Sequence, residues 1–174
     1  ALARNSIDHY FKYSELSEVD TNGLSPSLFY HCGVFVTLKK EHQLRGCIGC
    51  FTSDEPLYDI IQKMALSSAF NDRRFYPLTM DELPDIQIEI SVLSPMKKIE
   101  SINEIELGKH GIYIEKGRSS GTFLPQVALK TDWTHEEFLG HCARDKAGIG
   151  WDGWQDADIY IFEAVFFSEA AKQL

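Results

Sequence analysis

The most constraining feature of the chain is a strict alternation between residues 86 and 92. Four aliphatic residues, Ile86, Ile88, Ile90 and Val92, are separated by single polar residues. Successive side chains of a β-strand point to opposite faces of a sheet, so this pattern predicts a strand with one apolar and one polar face. It is the strongest strand signal in the sequence.

A β-hairpin is predicted upstream of that strand. Residues 33–38 are β-branched and aromatic, which suits a half-buried strand, and the apolar pattern returns over residues 44–51 after a short polar stretch. Cys47 therefore lies in the second strand of the hairpin or at its end.

Helical spacing marks three segments. Residues 1–13 place apolar side chains on one face, and residues 57–70 do the same after Ser53 to Pro56, which offer a capping side chain, acids and a proline. Thr134 and Glu137 form a capping box, which predicts a helix over residues 135–146 that stops before Gly148.

Three further strands complete the pattern. Residues 111–115 predict one strand, residues 122–129 a second that Pro125 interrupts, and residues 159–167 a central strand buried on both faces. Helices and strands are interspersed, and the hairpin makes at least part of the sheet antiparallel. We therefore predict an α+β fold in which a mainly antiparallel sheet is flanked by helices.

Length and composition narrow the function classes. The chain has 174 residues, which fits one domain over residues 1–174. Its formal charge of −9 argues against nucleic acid as a partner, and no apolar run approaches the roughly 18 residues of a membrane helix. Four cysteines are too few for a disulfide scaffold, so a cytoplasmic location is predicted.

The candidate nucleophile is Cys47, which stands between Gly46 and Gly49 with Arg45 two residues earlier. Glycine lets a ligand approach the backbone closely, and a guanidinium on the same side of a regular strand favours the thiolate. We therefore predict Arg45, Gly46 and Gly49 as ligand-binding residues. The alternative is a glycine-kinked strand whose cysteine is buried and inert.

Two other cysteine chemistries receive less support. Cys47 and Cys50 form a Cys-x-x-Cys pair, but residues three apart in a straight strand point to opposite faces, which argues against a redox dithiol. A structural zinc site needs four ligands, and the remaining His-Cys pairs lack zinc-ligand spacing, so no metal site is predicted. Those pairs are His31-Cys32 and His141-Cys142.

Polar residues elsewhere extend the candidate site. Asp72 and Arg74 follow the second helix, and Gln126 is polar within an apolar run. His110, at the turn of residues 108–111, is a weak candidate base, with a solvated turn histidine as the alternative. The cofactor is unknown, since the chain contains no Walker loop, no Gly-x-Ser-x-Gly and no His-Glu-x-x-His.

We predict that these pieces converge on one cleft. A buried polar group costs about 1–3 kcal/mol unless it is paired, so polar residues in apolar runs need a reason. The predicted cleft residues are Arg45, Cys47, Asp72, Arg74 and Gln126, with His110 at the rim. In the alternative each pairs locally, Asp72 with a nearby arginine and Gln126 with the backbone of a neighbouring strand.

The chain resembles the AMMECR-one (AMMECR1) family, called protein A of the AmmeMemoRadiSam system in prokaryotes. Residues 44–49, Leu-Arg-Gly-Cys-Ile-Gly (the LRGCIG motif), match the family signature at all six positions. Further matches follow in chain order and cover nearly the whole sequence. They are residues 33–38, 69–78, 82–83, 88–93, 124–127, Trp133, 138–139 and 146–148.

The resemblance implies a fold and partners but no reaction. The family fold is α+β with a larger part, a smaller second lobe and a cleft near the signature, and its biochemical activity is unassigned. Prokaryotic relatives are encoded near, or fused to, a Memo-like protein and a radical SAM protein, which implies a shared pathway. The family also places Asp at the position of His110, and Cys50 is not part of the signature.

Two hypotheses about function follow. The first is a cytoplasmic enzyme, or the substrate-handling subunit of one, centred on Cys47. The second is a non-catalytic binding module for a protein, a small-molecule ligand or, least supported, nucleic acid. The two hypotheses make different predictions for Cys47. Only the first predicts that its thiol is unusually reactive and that Cys47→Ser abolishes function.

Overall fold

The structure is a computed structural model that describes residues 1–169. The chain divides into two compact units, each with its own hydrophobic core. Among the described residues, the first unit comprises residues 1–93 and 165–169, and the smaller second unit comprises Ser94–Ala164. The α+β class with a mainly antiparallel sheet, flanking helices and a smaller second lobe is confirmed.

In the first unit, two helices cover three antiparallel strands, next to which the last strand of the chain continues the sheet. Strand β1 (Val34–Lys40) lies between β2 (Gln43–Cys50) and β3 (Ile86–Leu93). The helices are α1 (Leu2–Tyr13) and α2 (Leu57–Phe70), and short 3₁₀ turns occupy Pro26–Phe29 and Met80–Asp85. The predicted hairpin, both helices and the alternating strand are confirmed.

Alternation gives this sheet two different faces. Val34, Val36 and Leu38 of β1 are fully buried beneath the helices, together with Ile86 and Ile88 of β3. The intervening residues of the strands point to the other face and are less buried. Cys47 belongs to this second, more polar face, because it lies opposite Thr37 of β1 and paired residues point to the same face of a sheet.

The second unit has an antiparallel sheet in the order β4-β7-β5-β6. Its strands are β4 (Lys97–Ile99), β5 (His110–Lys116), β6 (Ser119–Phe123) and the first part of β7 (Asp158–Ser168). Helices α3 (Pro125–Ala128) and α4 (His135–Cys142) follow β6, and a π-turn, Ala143–Ala147, extends α4 to Gly148. The capping box at Thr134 and Glu137 is present, as predicted.

Two element predictions at prolines are wrong. Pro125 does not interrupt a strand; it occupies the first position of α3, where its missing N–H has no helical partner to lose. Pro56 is the N-cap of α2, and no side chain caps that helix. The hydroxyl of Ser53 instead accepts a hydrogen bond from the backbone N–H of Glu55, two residues along.

The last strand is less buried than predicted. Ile159 and Ile161 lie in the core of the second unit and Phe162 is also buried, but Val165, Phe166 and Phe167 are exposed. The prediction that this strand is buried on both faces is therefore wrong for residues 165–167, which lie beyond the end of the second unit at Ala164. Within residues 1–169, no helix is long and apolar enough to cross a membrane.

Candidate functional site

Cys47 lies on β2, the outermost strand of the first unit's sheet. Register places Cys47 opposite Thr37 of β1, and Thr37 in turn opposite Glu89 of β3. A row of three polar side chains thus crosses the sheet on the face turned away from the helices. Cys47 is partly buried, which is less than the full burial of the alternative, and its reactivity stays a prediction.

The partner of the thiol is a hydroxyl group. Thr37 Oγ1 donates a hydrogen bond to Cys47 Sγ at 3.3 Å. A hydrogen bond donated to sulfur stabilises the thiolate more than the thiol. Among residues 1–169, no histidine and no carboxylate is hydrogen-bonded to Sγ, so the described chain provides no base in contact with the thiol.

Asp72 and Arg74 hold the backbone on either side of that thiol. Cys47 N donates to Asp72 Oδ2 at 2.9 Å, and Arg74 Nη2 donates to Cys47 O at 3.0 Å. An outer strand otherwise leaves such groups free to pair with another chain. The loop after α2 therefore covers the edge of β2 at the signature cysteine and fixes the position of its backbone.

The two charged residues also bind each other. Arg74 Nε and Nη2 donate to the two oxygens of Asp72 at 2.9 and 2.7 Å, a bidentate pair. Asp72 is only 6% exposed, and the guanidinium holds the pKa of its carboxyl well below the usual range, with help from the backbone N–H groups of Cys47 and Arg74. Asp72 is thus ionised with its oxygens engaged, whereas the Arg74 side chain remains 56% exposed.

Arg45 lies at an irregular point of β2. It has no cross-strand partner, because Leu38 pairs with Gly46 while Lys39 pairs with Leu44, so β2 bulges at Arg45. Its guanidinium instead donates to both oxygens of Glu82, at 3.1 and 2.9 Å, and to the carbonyl of Tyr76 at 3.0 Å. The expectation of a regular strand here is wrong, and the bulge is the physical reason.

The pairing with Arg45 changes the acidity of Glu82. Hydrogen bonds from Arg45, together with those from the backbone N–H of Thr79 and from Lys40, lower the pKa of Glu82 to about 2. Glu82 also closes the capping box at Thr79. Arg45 therefore ties the bulge of β2 to the 3₁₀ turn before β3.

Both glycines of the signature are required by neighbouring parts of the chain. A Cβ on Gly46 would collide with the carbonyl oxygen of Ser68 in α2, and one on Gly49 would collide with the ring of Phe35. Ser68 also accepts from Ile48 N and donates to Val36 O, each at 2.8 Å. Close packing of α2 on β2 is thus one reason for Gly46, and close contact with β1 is one reason for Gly49; contact of either glycine with a ligand stays a prediction.

The other two candidates lie in the second unit. His110 begins β5 and is buried, so it is not a solvated turn histidine; its Nδ1 accepts from the backbone N–H of Glu106 at 3.0 Å. That bond occupies the lone pair a base would need and leaves Nε2 near Glu163. Gln126 lies in α3, and its buried Oε1 has no hydrogen-bond partner among the described residues.

The remaining cysteines are free thiols with more apolar surroundings. Burial raises the pKa of Cys142 to about 12 and also raises the pKa of Cys32. Cys50 packs against the core of the first unit. Within residues 1–169, no three His, Cys, Asp or Glu side chains are placed to hold a metal ion.

Sequence reasoning missed the residues that support the candidate site. The sequence indicates Thr37 only as part of a strand, although its alternation with Val36 and Leu38 and the hairpin register place it beside Cys47. Glu89 was found as the polar half of the alternation but not as a neighbour of this face. No signal in the sequence identifies Ser68, because its partners are distant in the chain; for Glu82, the spacing to Thr79 indicates a capping box, but nothing in the sequence indicates the contact with Arg45.

Comparison with known proteins identifies close relatives over almost the full chain. The family model described as AMMECR1 matches residues 1–167. Protein MK0488 of Methanopyrus kandleri is 41% identical over 97% of this chain and 85% of its own length. Protein NEQ441 of Nanoarchaeum equitans is 39% identical, with 97% of each chain covered.

A solved structure shares the fold. The crystal structure of uncharacterized protein PH0010 from Pyrococcus horikoshii matches with a TM-score of 0.87 and 38% identity. The match covers 97% of this chain and 88% of that one. The names of these relatives state no activity, so function has to be argued from the site.

Proposed function

Because the chain belongs to the AMMECR1 family, whose named relatives carry no assigned activity, we propose a function from the site itself. The proposal is a substrate-handling protein, or the enzyme itself, in which a small-molecule ligand contacts the thiol of Cys47. The observation that carries it is the hydrogen bond from Thr37 Oγ1 to Sγ on a partly exposed strand face.

The surroundings of the thiol support a nucleophile that is activated before the ligand arrives. The Thr37 hydroxyl donates to Sγ, and Arg74, whose side chain is exposed, donates to the backbone carbonyl of the same cysteine. Asp72 contributes by holding the backbone of Cys47 and the side chain of Arg74 in place. Thr37 and Asp72 are positioning residues in this scheme, and Cys47 is the group that touches the ligand.

The proposal includes partners and a location. A Memo-like protein and a radical SAM protein are the proposed partners, on the strength of the family resemblance, and the cytoplasm is the proposed location. Nucleic acid has the least support, because the formal charge is −9.

Pull-down of each purified partner by the wild type, with Asp152→Lys as a surface control, tests the proposed partners. Failure of both partners to bind would contradict the proposal.

A second candidate is a binding module without chemistry. The specific observation in its favour is that no described residue that could act as a base is hydrogen-bonded to Cys47 Sγ. Arg45 and Asp72 are instead engaged in ion pairs within the protein, with Glu82 and Arg74 respectively. This candidate predicts that Cys47→Ser preserves partner binding and any function in cells. The first candidate predicts that the same substitution abolishes function while partner binding persists.

Alkylation across a pH series tests the first candidate. Iodoacetamide reacts with accessible thiolates, and peptide mass spectrometry follows each of the four cysteines in the same sample; Cys142 is fully buried and serves as the unreactive reference. We expect Cys47 to be labelled at lower pH than Cys32 and Cys142, whose raised pKa values keep them as thiols. Labelling of Cys47 no earlier than of those two would favour the binding module.

A further inference from the structure

We propose that a groove along α1 in the first unit is a docking site for an amphipathic helix whose apolar face is flanked by lysine or arginine. The groove has a volume of about 940 Å³ and is bounded by α1, the connection before β1, α2, β3 and the end of β7. It contains none of the Cys47 site residues. The inference therefore goes beyond the proposed function and does not depend on it.

The shape of the groove fits a helix. The lining residues of α1 recur at helical spacing along its full length, from Leu2 through Asn5 and His9 to Tyr13. Twelve residues at about 1.5 Å each make this wall roughly 18 Å long. A partner helix of about three turns would match that length, with anchors spaced three or four residues apart.

The interior of the groove is apolar, and aromatic residues stand at its edges. Ile61, Ile90 and Val92 contribute to its lining. Tyr13, Tyr30 and Phe167 also line it and are 64%, 67% and 57% exposed. Large apolar side chains left open along one groove are typical of protein interaction sites, and Tyr and Phe are enriched there.

Negative charges at the edge of the groove favour a partner helix with basic side chains. Glu18 and Asp20 line the groove, and neither forms an ion pair with any residue in the described part of the chain. The lysine in the lining, Lys12, is already bound to Asp8 at 2.6 Å. The edge therefore carries uncompensated negative charge, which complements lysine or arginine beside the apolar face of a partner and repels acidic helices.

Two model peptides test this assignment by fluorescence anisotropy with the whole protein. Both are 14-residue helices with leucine on one face; the other face carries lysine in the first and glutamate in the second. We expect the lysine peptide to bind at least about tenfold more tightly, equivalent to about 1.4 kcal/mol. Equal affinities, or tighter binding of the glutamate peptide, would overturn the proposal.

Protein variants locate the binding. The double change Glu18→Gln and Asp20→Asn removes the unpaired edge charge, and Phe167→Ser removes an exposed aromatic group, so neither is expected to impair folding. Each should weaken the lysine peptide about threefold to tenfold. The matched control is Asp132→Asn with Asp152→Asn, two exposed acids of the second unit, which should change affinity less than twofold.

Three results would contradict a docked helix. Equal weakening by the groove variants and by the control would mean that the peptide is attracted only by net charge. Strong uptake of the neutral dye N-phenyl-1-naphthylamine, lost in Phe167→Ser, without peptide binding would assign the groove to a small apolar molecule. Concentration-dependent dimers in sedimentation, abolished by Phe167→Ser, would assign it to a second copy of the chain.

Discussion

At the residue scale, Asp72 carries much of the order around the signature cysteine. It accepts hydrogen bonds from the backbone N–H of Cys47 and from Arg74, while lying almost fully buried. Asp72→Ala leaves those donors without a partner, so we expect a loss of about 1–3 kcal/mol in the free energy of unfolding. Urea denaturation at pH 7 measures this, and Asp152→Ala is the exposed control.

The effect of Asp72 should also depend on pH in a defined direction. Its pKa is lowered in the folded state, so its contribution is complete above the unfolded value of about 4 and is lost as pH falls through the folded value. The stability difference between the wild type and Asp72→Ala should therefore shrink below about pH 4. A difference that grows on acidification would contradict the ion pair with Arg74.

Glu82 gives a second pH-dependent prediction. Arg45 lowers its pKa from 4.5 to about 2, so the pair stabilises the fold above about pH 4.5 and the contribution declines as pH falls towards 2. Glu82→Gln should lose stability at pH 7 and show a weaker acid dependence between pH 5 and pH 3 than the wild type. Glu136→Gln, at an exposed position of α4, is the matched control in the same urea titrations.

At the element scale, the central packing event is the approach of α2 to the hairpin. Gly46→Ala would place a methyl group on the backbone carbonyl of Ser68, which cannot rotate away. We expect a cost of about 2–4 kcal/mol, against about 1 kcal/mol for Gly23→Ala, where positive φ is the only obstacle. Equal costs in thermal denaturation would mean that the close approach at Gly46 is not needed.

The elements that local patterns specify were predicted well. The alternation of β3, the apolar face of α2 and the capping box of α4 each arise from residues close in sequence, and each is present. The bulge at Arg45 escaped prediction because it depends on the cross-strand register. The helical turn at Pro125 escaped because proline terminates a strand and starts a helix equally well.

The candidate site was predicted in part for the same reason. Cys47, Asp72 and Arg74 stand out as polar or reactive residues at the end of apolar runs, and the structure brings these three into contact. Thr37 looks like an ordinary strand residue, and only tertiary contacts link Thr37 to Cys47 and Glu82 to Arg45. Convergence with Gln126 and His110 stays a prediction.

At the scale of the whole molecule, the chain leaves the first unit after Leu93 and returns to it at Val165. We predict that residues 1–174 nevertheless unfold as one domain. The three tryptophans, Trp133, Trp151 and Trp154, all lie in the second unit and report on it alone.

Because the tryptophans report on the second unit alone, a destabilising substitution in the first unit tests whether the two units unfold together. Val36→Ala opens a cavity in the core of the first unit, and we expect a cost of about 2 kcal/mol, which lowers the melting temperature by about 4–8 °C. If the chain is one domain, tryptophan fluorescence and far-ultraviolet circular dichroism should shift together. A tryptophan transition that stays at the wild-type temperature would show that the units unfold separately.

The most direct test of the proposed function is the alkylation rate of Cys47 in the wild type and in Thr37→Val. Valine keeps the shape of threonine but removes the hydroxyl that donates to Sγ. We predict that Cys47 is the fastest-reacting of the four cysteines at pH 7.5, and that Thr37→Val slows it about threefold to tenfold without affecting Cys32, Cys50 or Cys142. A Cys47 that reacts no faster than Cys32 or Cys142 in the wild type, or at an unchanged rate in the variant, would contradict an activated thiol.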